Sequence, residues 1–310
     1  MRIKVFTHTD LDGIGPVVLL KTLLEAEVDY ETHGYGTIDG AVNAYVKDRL
    51  YVDYDMTFIT DISIRENFAI EAIKCMVNRG HKVVLLDHHL TAEPLNKYSW
   101  AKVVTEKPNC GTTLTLDYIK KEMSELYDYV NINTLAFCNH FARLVSYWDT
   151  WLWAESDDNT PKLLNDLFYI YGKDTFLENM VNKMQNALDL FSDEDLLVLD
   201  IRQKQINRYI ETKAKQLMIV EHAYEELTAG MVFAEEYFSE LGHELLNEFD
   251  EIDYIMMIDI GAQKVSLRAR EEDDIDVEVI AKFHGGGGHK KAAGFRFEHD
   301  IYDTWIRNVL

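Results

Sequence analysis

Short apolar runs, too brief for helices, recur through the first third of the chain and largely decide its architecture. "IKVFT", "VDYETHGY", "MTFIT", "KVVLL" and "AKVVT" read as strands. Helical patterns stand between them, one from about Gly15 and one in "ENFAIEAIKCMVNRG", with Gly80 as its stop. Strands alternating with helices at this spacing predict a parallel sheet with helices on both faces. From about Thr112 to Leu190 the pattern is mostly helical. A long helical pattern then starts at Ser192, a candidate N-cap followed by acids, and is expected to run on as a connector. After it, "AGMVFA", "YIMMIDI", "KVSLRAR" and "GFRFE" read as strands, and "YFSELGHELLNEF" and "DVEVIAKF" as helices.

The expected fold class is therefore α/β. A parallel-sheet domain spans residues 1–190, a helical linker 191–226 and a smaller α/β domain 227–310. At 310 residues the chain is long for one core, and 47% hydrophobic residues are enough for two.

The formal net charge of −23 leaves no general excess of the basic surface that grips long nucleic acid. No long duplex partner is expected. A small anionic substrate, or one held through metal ions, fits better, although acidity over the whole surface is explained simply by solubility. Cys75, Cys110 and Cys138 form no CxxC pattern, which points to reduced thiols and a cytoplasmic protein. "MRIKVFTHTD" meets polar residues too early for a signal peptide, and no apolar run reaches the length of a membrane span, so no membrane partner is expected.

In open parallel sheets, ligands sit beyond the carboxyl ends of the strands. "KVFT" is followed by His8, Asp10 and Asp12, "MTFIT" by Asp61, and "KVVLL" by Asp87, His88 and His89. Asp149 lies between aromatics in "SYWDTW". In extended backbone, His8, Asp10 and Asp12 would project to one side. Carboxylates brought together without a cation repel and take up protons. A divalent metal removes the conflict, and a His/carboxylate set with no thiolate suits Mn²⁺, with Mg²⁺, Co²⁺ or Fe²⁺ as rivals. The ligands are too many for one catalytic ion and suit two, a device known for phosphoester hydrolysis. Singly, Asp12 or Asp61 would be read as a helix N-cap, and His33 and His81 are read as structural or solvated.

The second domain carries "GGGGHKKAAGF" after a predicted helix. Glycines such as Gly286, Gly287 and Gly288 let backbone N–H groups approach an anion, His289 and Lys290 follow, and Arg268 on the preceding strand offers a bidentate phosphate contact. The plainer reading is a flexible turn.

These residues resemble the DHH phosphoesterase superfamily. "HTDLDG" resembles its first motif, Asp61 in "ITDIS" the second, "DHH" at 87–89 the third and Asp149 the fourth, while "SLRAR" with "GGGGHKKAAGF" resembles the companion DHHA1 domain. The resemblance implies a metal-dependent hydrolase with its active site between the two domains. His8 and Asp10 would hold a first ion, Asp12, His88 and Asp149 a second, with Asp61 bridging. His89 would contact the metal-bound oxygens or the phosphate, and Asp87 would orient the histidines. Ser266, Arg268, Gly286, Gly287, Gly288, His289 and Lys290 would hold the far end of the substrate.

The first motif is spaced His-x-Asp-x-Asp. That is nearer the RecJ-like exonucleases than the His-x-x-x-Asp-x-Asp of the short-oligonucleotide hydrolases. No segment reads as the extra oligonucleotide-binding barrel of the RecJ-like enzymes. The expected activity is Mn²⁺-dependent hydrolysis of short oligonucleotides or dinucleotides to 5′-mononucleotides. The alternatives are a 3′,5′-bisphosphate nucleotide phosphatase, a cyclic-dinucleotide phosphodiesterase, a single-strand DNA exonuclease and an inactive nucleotide-binding module. A homodimer stays open.

Overall fold

The computed structural model describes residues 1–24, 26–127 and 130–297, without the side chains of residues 126, 127, 155, 222 and 223. The chain divides into two compact units that meet at Leu199 and Asp200.

The first unit runs β1 (Arg2–Thr7), α1 (Leu11–Leu23), β2 (Glu27–Thr32), α2 (Ile38–Lys47), β3 (Met56–Thr60), α3 (Asn67–Asn78), β4 (Lys82–Asp87) and β5 (Ala101–Val103). It continues with α4 (Gly111–Glu122), α5 (Ser124–Tyr127), α6 (Ile132–Asp149), α7 (Thr160–Tyr171), α8 (Lys173–Gln185) and the start of α9 (Asp193–Ala214). The five strands form one parallel sheet in the order β2-β1-β3-β4-β5.

Both faces of the sheet are covered, as the unbroken apolar strands require. Along β4, Val84 and Leu86 pack with Phe58 against α1, α4, α6, α7 and α8. Val83 and Leu85 pack with Ile59 against α2 and α3. Successive side chains point to opposite faces, so one strand feeds two cores. Because β2 and β3 lie on either side of β1, the chain changes direction across the sheet between β1 and β3, and a cleft forms there at the carboxyl ends.

Two expectations need correction here. α1 starts at Leu11, not near Gly15, because Asp10 caps it: its Oδ1 accepts from Gly13 N at 3.0 Å. Asp12 is therefore helical, and the extended alternation proposed for His8, Asp10 and Asp12 ends at Asp10. α2 was not anticipated at all.

The second unit holds the remainder of α9, then β6 (Met218–Tyr224), β7 (Leu227–Phe233), α10 (Phe238–Glu248), β8 (Tyr254–Asp259), β9 (Lys264–Ala269), α11 (Val277–Phe283), β10 (Gly287–His289) and β11 (Ala292–Arg296). Its sheet has the order β10-β11-β9-β8-β7-β6, antiparallel except for the β7–β8 pair. α11 packs with Val265 and Leu267 on one face, and α10 with Ile255 and Met257 on the other.

Ser192 does start α9, with Asp195 N donating to its Oγ at 3.2 Å and Ser192 N donating back to Asp195 Oδ2 at 2.8 Å. The helix stops at Ala214, so the linker expected to be helical over 191–226 is strand from Met218. The reason is tertiary: "MIVEHAY" carries β-branched residues and pairs with β7, which outweighs a helical pattern. Glu298, the last residue of the expected "GFRFE" strand, lies outside the described residues. Among those residues no helix is long and apolar enough to cross a membrane.

Candidate active site

Three strand ends and two helix ends supply the cleft. β1 delivers His8 and Asp10. The His8 Nδ1 is 2.7 Å from Asp10 Oδ2 and 3.7 Å from Asp61 Oδ2. The floor under them is rigid: Thr7 Oγ1 donates to Gly13 O at 2.6 Å, and Thr60 Oγ1 donates to Thr7 Oγ1 at 2.9 Å. Asp61 follows β3 with φ of 57°, a left-handed backbone that Asp tolerates better than most residues. Its side chain is 2% exposed.

Asp12, in the first turn of α1, is also buried. The amino end of α4 holds it: Gly111 N donates to Asp12 Oδ2 at 2.6 Å and Thr112 N to Oδ1 at 2.8 Å. Free N–H groups at a helix start are a natural seat for a carboxylate. Gly111 is required there, since a Cβ would lie 2.6 Å from the Asp61 Cβ and 3.1 Å from Asp12 Oδ2.

β4 ends at Asp87, fully buried, which acts as a bracket for the histidines. Its Oδ1 accepts from His88 N at 2.7 Å and His89 N at 3.1 Å, and sits 2.7 Å from His89 Nδ1. Ser63 Oγ donates to Oδ2. Burial alone would raise the Asp87 pKa, but the bonds from His89 and Ser63 outweigh it and hold the carboxyl below its usual range. The same bond raises His89.

His88 points inward. Its Nε2 lies 3.2 Å from Asp61 Oδ1, 3.4 Å from Asp149 Oδ2 and 3.8 Å from Asp12 Oδ2. Burial lowers its pKa, which favours neutral imidazole, the ligand form.

The cleft therefore brings all eight sequence-predicted residues of the first unit together. Two trios, His8–Asp10–Asp61 and Asp12–His88–Asp149, each place their ligand atoms within 4.8 Å of one another. A third overlapping trio is Asp61–His88–His89. Asp61 turns one oxygen to each of the first two trios. Burial, then the charges of Asp12 and Asp10, push Asp61 well above the carboxylate range, and the same causes raise Asp149 to about 7. Meanwhile His88 Nε2 and Asp149 Oδ2 are buried without an aligned hydrogen bond among the described residues. Buried orphan ligand atoms facing crowded carboxylates fit divalent cations, the group these donors suit.

Sequence reasoning missed Ser63, Gly111, Thr112 and Tyr35. The Tyr35 ring stands 6.0 Å from both the His8 and His89 rings, with the Arg65 guanidinium 3.8 Å from its centre. None of them carries a local signal. His81, expected to be structural or solvated, has its Nε2 2.9 Å from Thr57 Oγ1.

In the second unit, Ser266 is buried and Arg268 half-buried on β9, with Ser266 opposite Gly294 and Gly294 opposite Gly287 across three strands. The glycines lie at the end of α11 and in the edge strand β10. Gly286 N donates to Ala281 O at 2.8 Å, and Gly287 to His289 form β10, paired to β11. A Cβ on Gly286 would lie 2.1 Å from Gly294 O, so close strand packing already accounts for that glycine. Lys290 is exposed and bonded to Asp274 at 2.6 Å, and His289 is exposed.

Comparison with known proteins accords with this geometry. The model of the DHH family, N-terminal domain, matches residues 2–147. The chain is 32% identical over 308 residues to the oligoribonuclease NrnB of Bacillus subtilis (strain 168), covering 99% of this chain and 75% of that protein. Among solved structures, the pGpG-specific phosphodiesterase PggH from Vibrio cholerae superposes with a TM-score of 0.56 at 12% identity, covering 99% of this chain and 97% of that one. The exonuclease RecJ bound to manganese superposes with a TM-score of 0.55 at 16% identity, covering 99% and 89%. At such identities these superpositions speak for the fold. With strand ends that carry the DHH residues into one cleft and a relative matching almost end to end, this chain belongs to the DHH family.

Proposed function

We propose that this protein hydrolyses phosphodiester bonds in short oligonucleotides, releasing 5′-mononucleotides, with two divalent cations, Mn²⁺ first among them. The observation that carries the reading is the pair of trios with Asp61 turning one oxygen to each, and with His88 Nε2 and Asp149 Oδ2 left unbonded inside the cluster. The likeness to an oligoribonuclease over nearly the whole chain supports the substrate class.

In this reading His8, Asp10 and Asp61 would hold one ion, and Asp12, His88 and Asp149 the other, with Asp61 turning an oxygen to each set. Bound there, the ions would lower the pKa of a water and offset charge on the phosphoryl oxygens. The protein's own part is positional. Asp87 and Ser63 lock the His89 ring, leaving its Nε2 to donate to a phosphoryl oxygen, and the bond to Asp87 favours the protonated form that donates. The amino end of α4 fixes the Asp12 carboxyl in place, with Gly111 N and Thr112 N each donating to one of its oxygens. Tyr35 walls the His8–His89 side, and burial raises its hydroxyl to about 12, so it stays a donor at neutral pH. Ser266, Arg268, Gly286, Gly287, Gly288, His289 and Lys290 are proposed as further substrate contacts on the family resemblance. The free thiols suit a reducing cytoplasm.

The test is turnover of a panel by the purified protein with Mn²⁺. The panel is a dinucleotide, a short RNA, an adenosine 3′,5′-bisphosphate, a cyclic dinucleotide, pyrophosphate and long single-stranded DNA. Dinucleotide or short RNA should turn over fastest. An absence of Mn²⁺-dependent turnover on every substrate overturns the reading, and preference for the bisphosphate or long DNA reassigns the substrate.

A further inference from the structure

The tryptophans that flank Asp149 take no part in the site described above. α6 ends at Asp149, Thr150 caps it, and Trp151 turns back with φ of 63°. A bulky residue in left-handed backbone is costly, and Gly or Asn would avoid the cost. What this turn produces is a stack. The Trp148 and Trp151 ring centres are 6.1 Å apart at 28°, Trp148 and Trp153 5.2 Å at 26°, and Trp151 and Trp153 6.1 Å at 30°. Trp151 nevertheless stays 62% exposed. Aromatic side chains of this size normally gain their stabilisation by burial, so a bare indole backed by two others is a surface prepared for a flat partner.

The stack is also tied to the candidate catalytic cleft. Trp151 N donates to Trp148 O at 3.2 Å. Lys107 Nζ donates to Thr150 O at 2.6 Å, and Ser146 Oγ donates to Pro108 O. That loop leads within three residues to Gly111, whose N–H holds Asp12. Asp149, between Trp148 and Trp151 in the chain, lies 3.4 Å from His88 Nε2. Trp151 thus lies two residues along the chain from a cleft carboxylate, on the turn that ends the helix carrying it.

We propose that the Trp151 indole, backed by Trp148 and Trp153, is the stacking face for a nucleobase of the substrate. This rests on the phosphodiesterase reading above. Charge makes the proposal economical: a chain of net charge −23 has no general basic surface for the phosphates, whereas stacking is indifferent to charge and to base identity. Trp151 is thus a substrate-positioning residue that favours nucleotides over other phosphodiesters without selecting a sequence.

Two measurements test it, and only one needs activity. The first titrates adenosine 5′-monophosphate and, separately, ribose 5-phosphate into the intact protein, followed by tryptophan fluorescence. The nucleotide should quench and bind more tightly than the sugar phosphate. Trp151→Ala should weaken the nucleotide alone, by roughly 5- to 100-fold, the range of base–aromatic stacking, while Trp151→Phe retains most of the affinity and controls for folding. Equal weakening of both probes, or none, overturns the proposal.

The second compares a dinucleotide with its abasic counterpart. Trp151→Ala should raise KM for the dinucleotide and collapse its preference over the abasic compound. Turnover by the unaltered protein with an unchanged preference in Trp151→Ala sinks the stacking face and leaves the phosphodiesterase reading standing. Base-dependent quenching without turnover of any substrate does the reverse.

Discussion

His88 Nε2 lies 3.2 Å from Asp61 Oδ1, inside a cluster where both side chains are nearly closed to solvent. Asp149 and Asp12 present further oxygens at 3.4 and 3.8 Å. Without a cation this is a repulsive arrangement, and Asp61 responds by favouring its neutral form. Mn²⁺ at a hundredfold excess over Kd should then stabilise the protein by about 2.7 kcal/mol, a rise of about 5–11 °C in Tm for a unit of this size. Asp61→Asn should melt no lower than the unaltered protein when metal-free, lose most of the Mn²⁺-dependent rise, and lose activity by about 100-fold or more. Thermal melts with EDTA and with Mn²⁺ check this. A full Mn²⁺ increment in Asp61→Asn would exclude Asp61 as a shared ligand.

Asp87 accepts three bonds from the two histidines and one from Ser63. An amide in its place turns a donor toward groups that already donate, leaving at least one of them unsatisfied. Asp87→Asn should reduce kcat on a dinucleotide by about 10- to 100-fold, as expected when the group orienting a ligand is lost. Ser63→Ala should show a smaller loss in the same direction. Steady-state kinetics decide it, and a wild-type kcat in Asp87→Asn would remove the bracket role.

Gly111 and Gly40 make a contrasting pair. A Cβ at Gly111 collides with the Asp61 Cβ at 2.6 Å, whereas at Gly40, on the exposed side of α2, it meets nothing within 4 Å. Gly111→Ala should destabilise by about 1–3 kcal/mol and weaken Mn²⁺ binding, because it shifts both Asp61 and the seat of Asp12. Gly40→Ala should stabilise by about 0.5–1 kcal/mol, the ordinary gain in a helix. Denaturant titration of the two variants separates local fit from propensity.

Lys183 and Asp195 join α8 to the start of α9 through a buried ion pair, with Tyr171 Oη donating to Asp195 Oδ1 at 2.7 Å. Burial opposes the charge, but the bonds from Lys183, Ser192 and Tyr171 win, and the Asp195 pKa is lowered. A carboxyl depressed in the folded state contributes stability above its unfolded pKa of about 3.9, and that contribution fades as pH falls through the folded value. Asp195→Asn should therefore cost about 3–5 kcal/mol near neutral pH, since it strands a buried lysine. The gap to the unaltered protein should narrow below about pH 4. Urea midpoints measured from pH 7 down to pH 3 would show it, and a gap that does not change with pH would refute the coupling.

Much of the first unit's cleft could be read from the chain because it is written locally. "KVVLL" has enough apolar residues to be buried on both faces, and a buried strand must surface somewhere, so the polar residues that follow it mark a sheet end. Three such ends with His and Asp pointed to one cation-binding cleft. The same local logic failed where the neighbour, not the segment, decides. Asp12 was expected in extended chain and is helical, because Asp10 caps α1. "MIVEHAY" was expected in a helix and is a strand, because β7 offers it a partner.

By itself the sequence determined the α/β class, the strand ends and the residue types gathered there, since side-chain period and turn chemistry act over a few residues. Only the tertiary structure decided that Gly111 and Thr112 seat Asp12 from about a hundred residues away, that Ser63 braces Asp87, and that three tryptophans close into one stack beside Asp149. Those contacts depend on strand order and helix packing, which no stretch of the chain encodes alone.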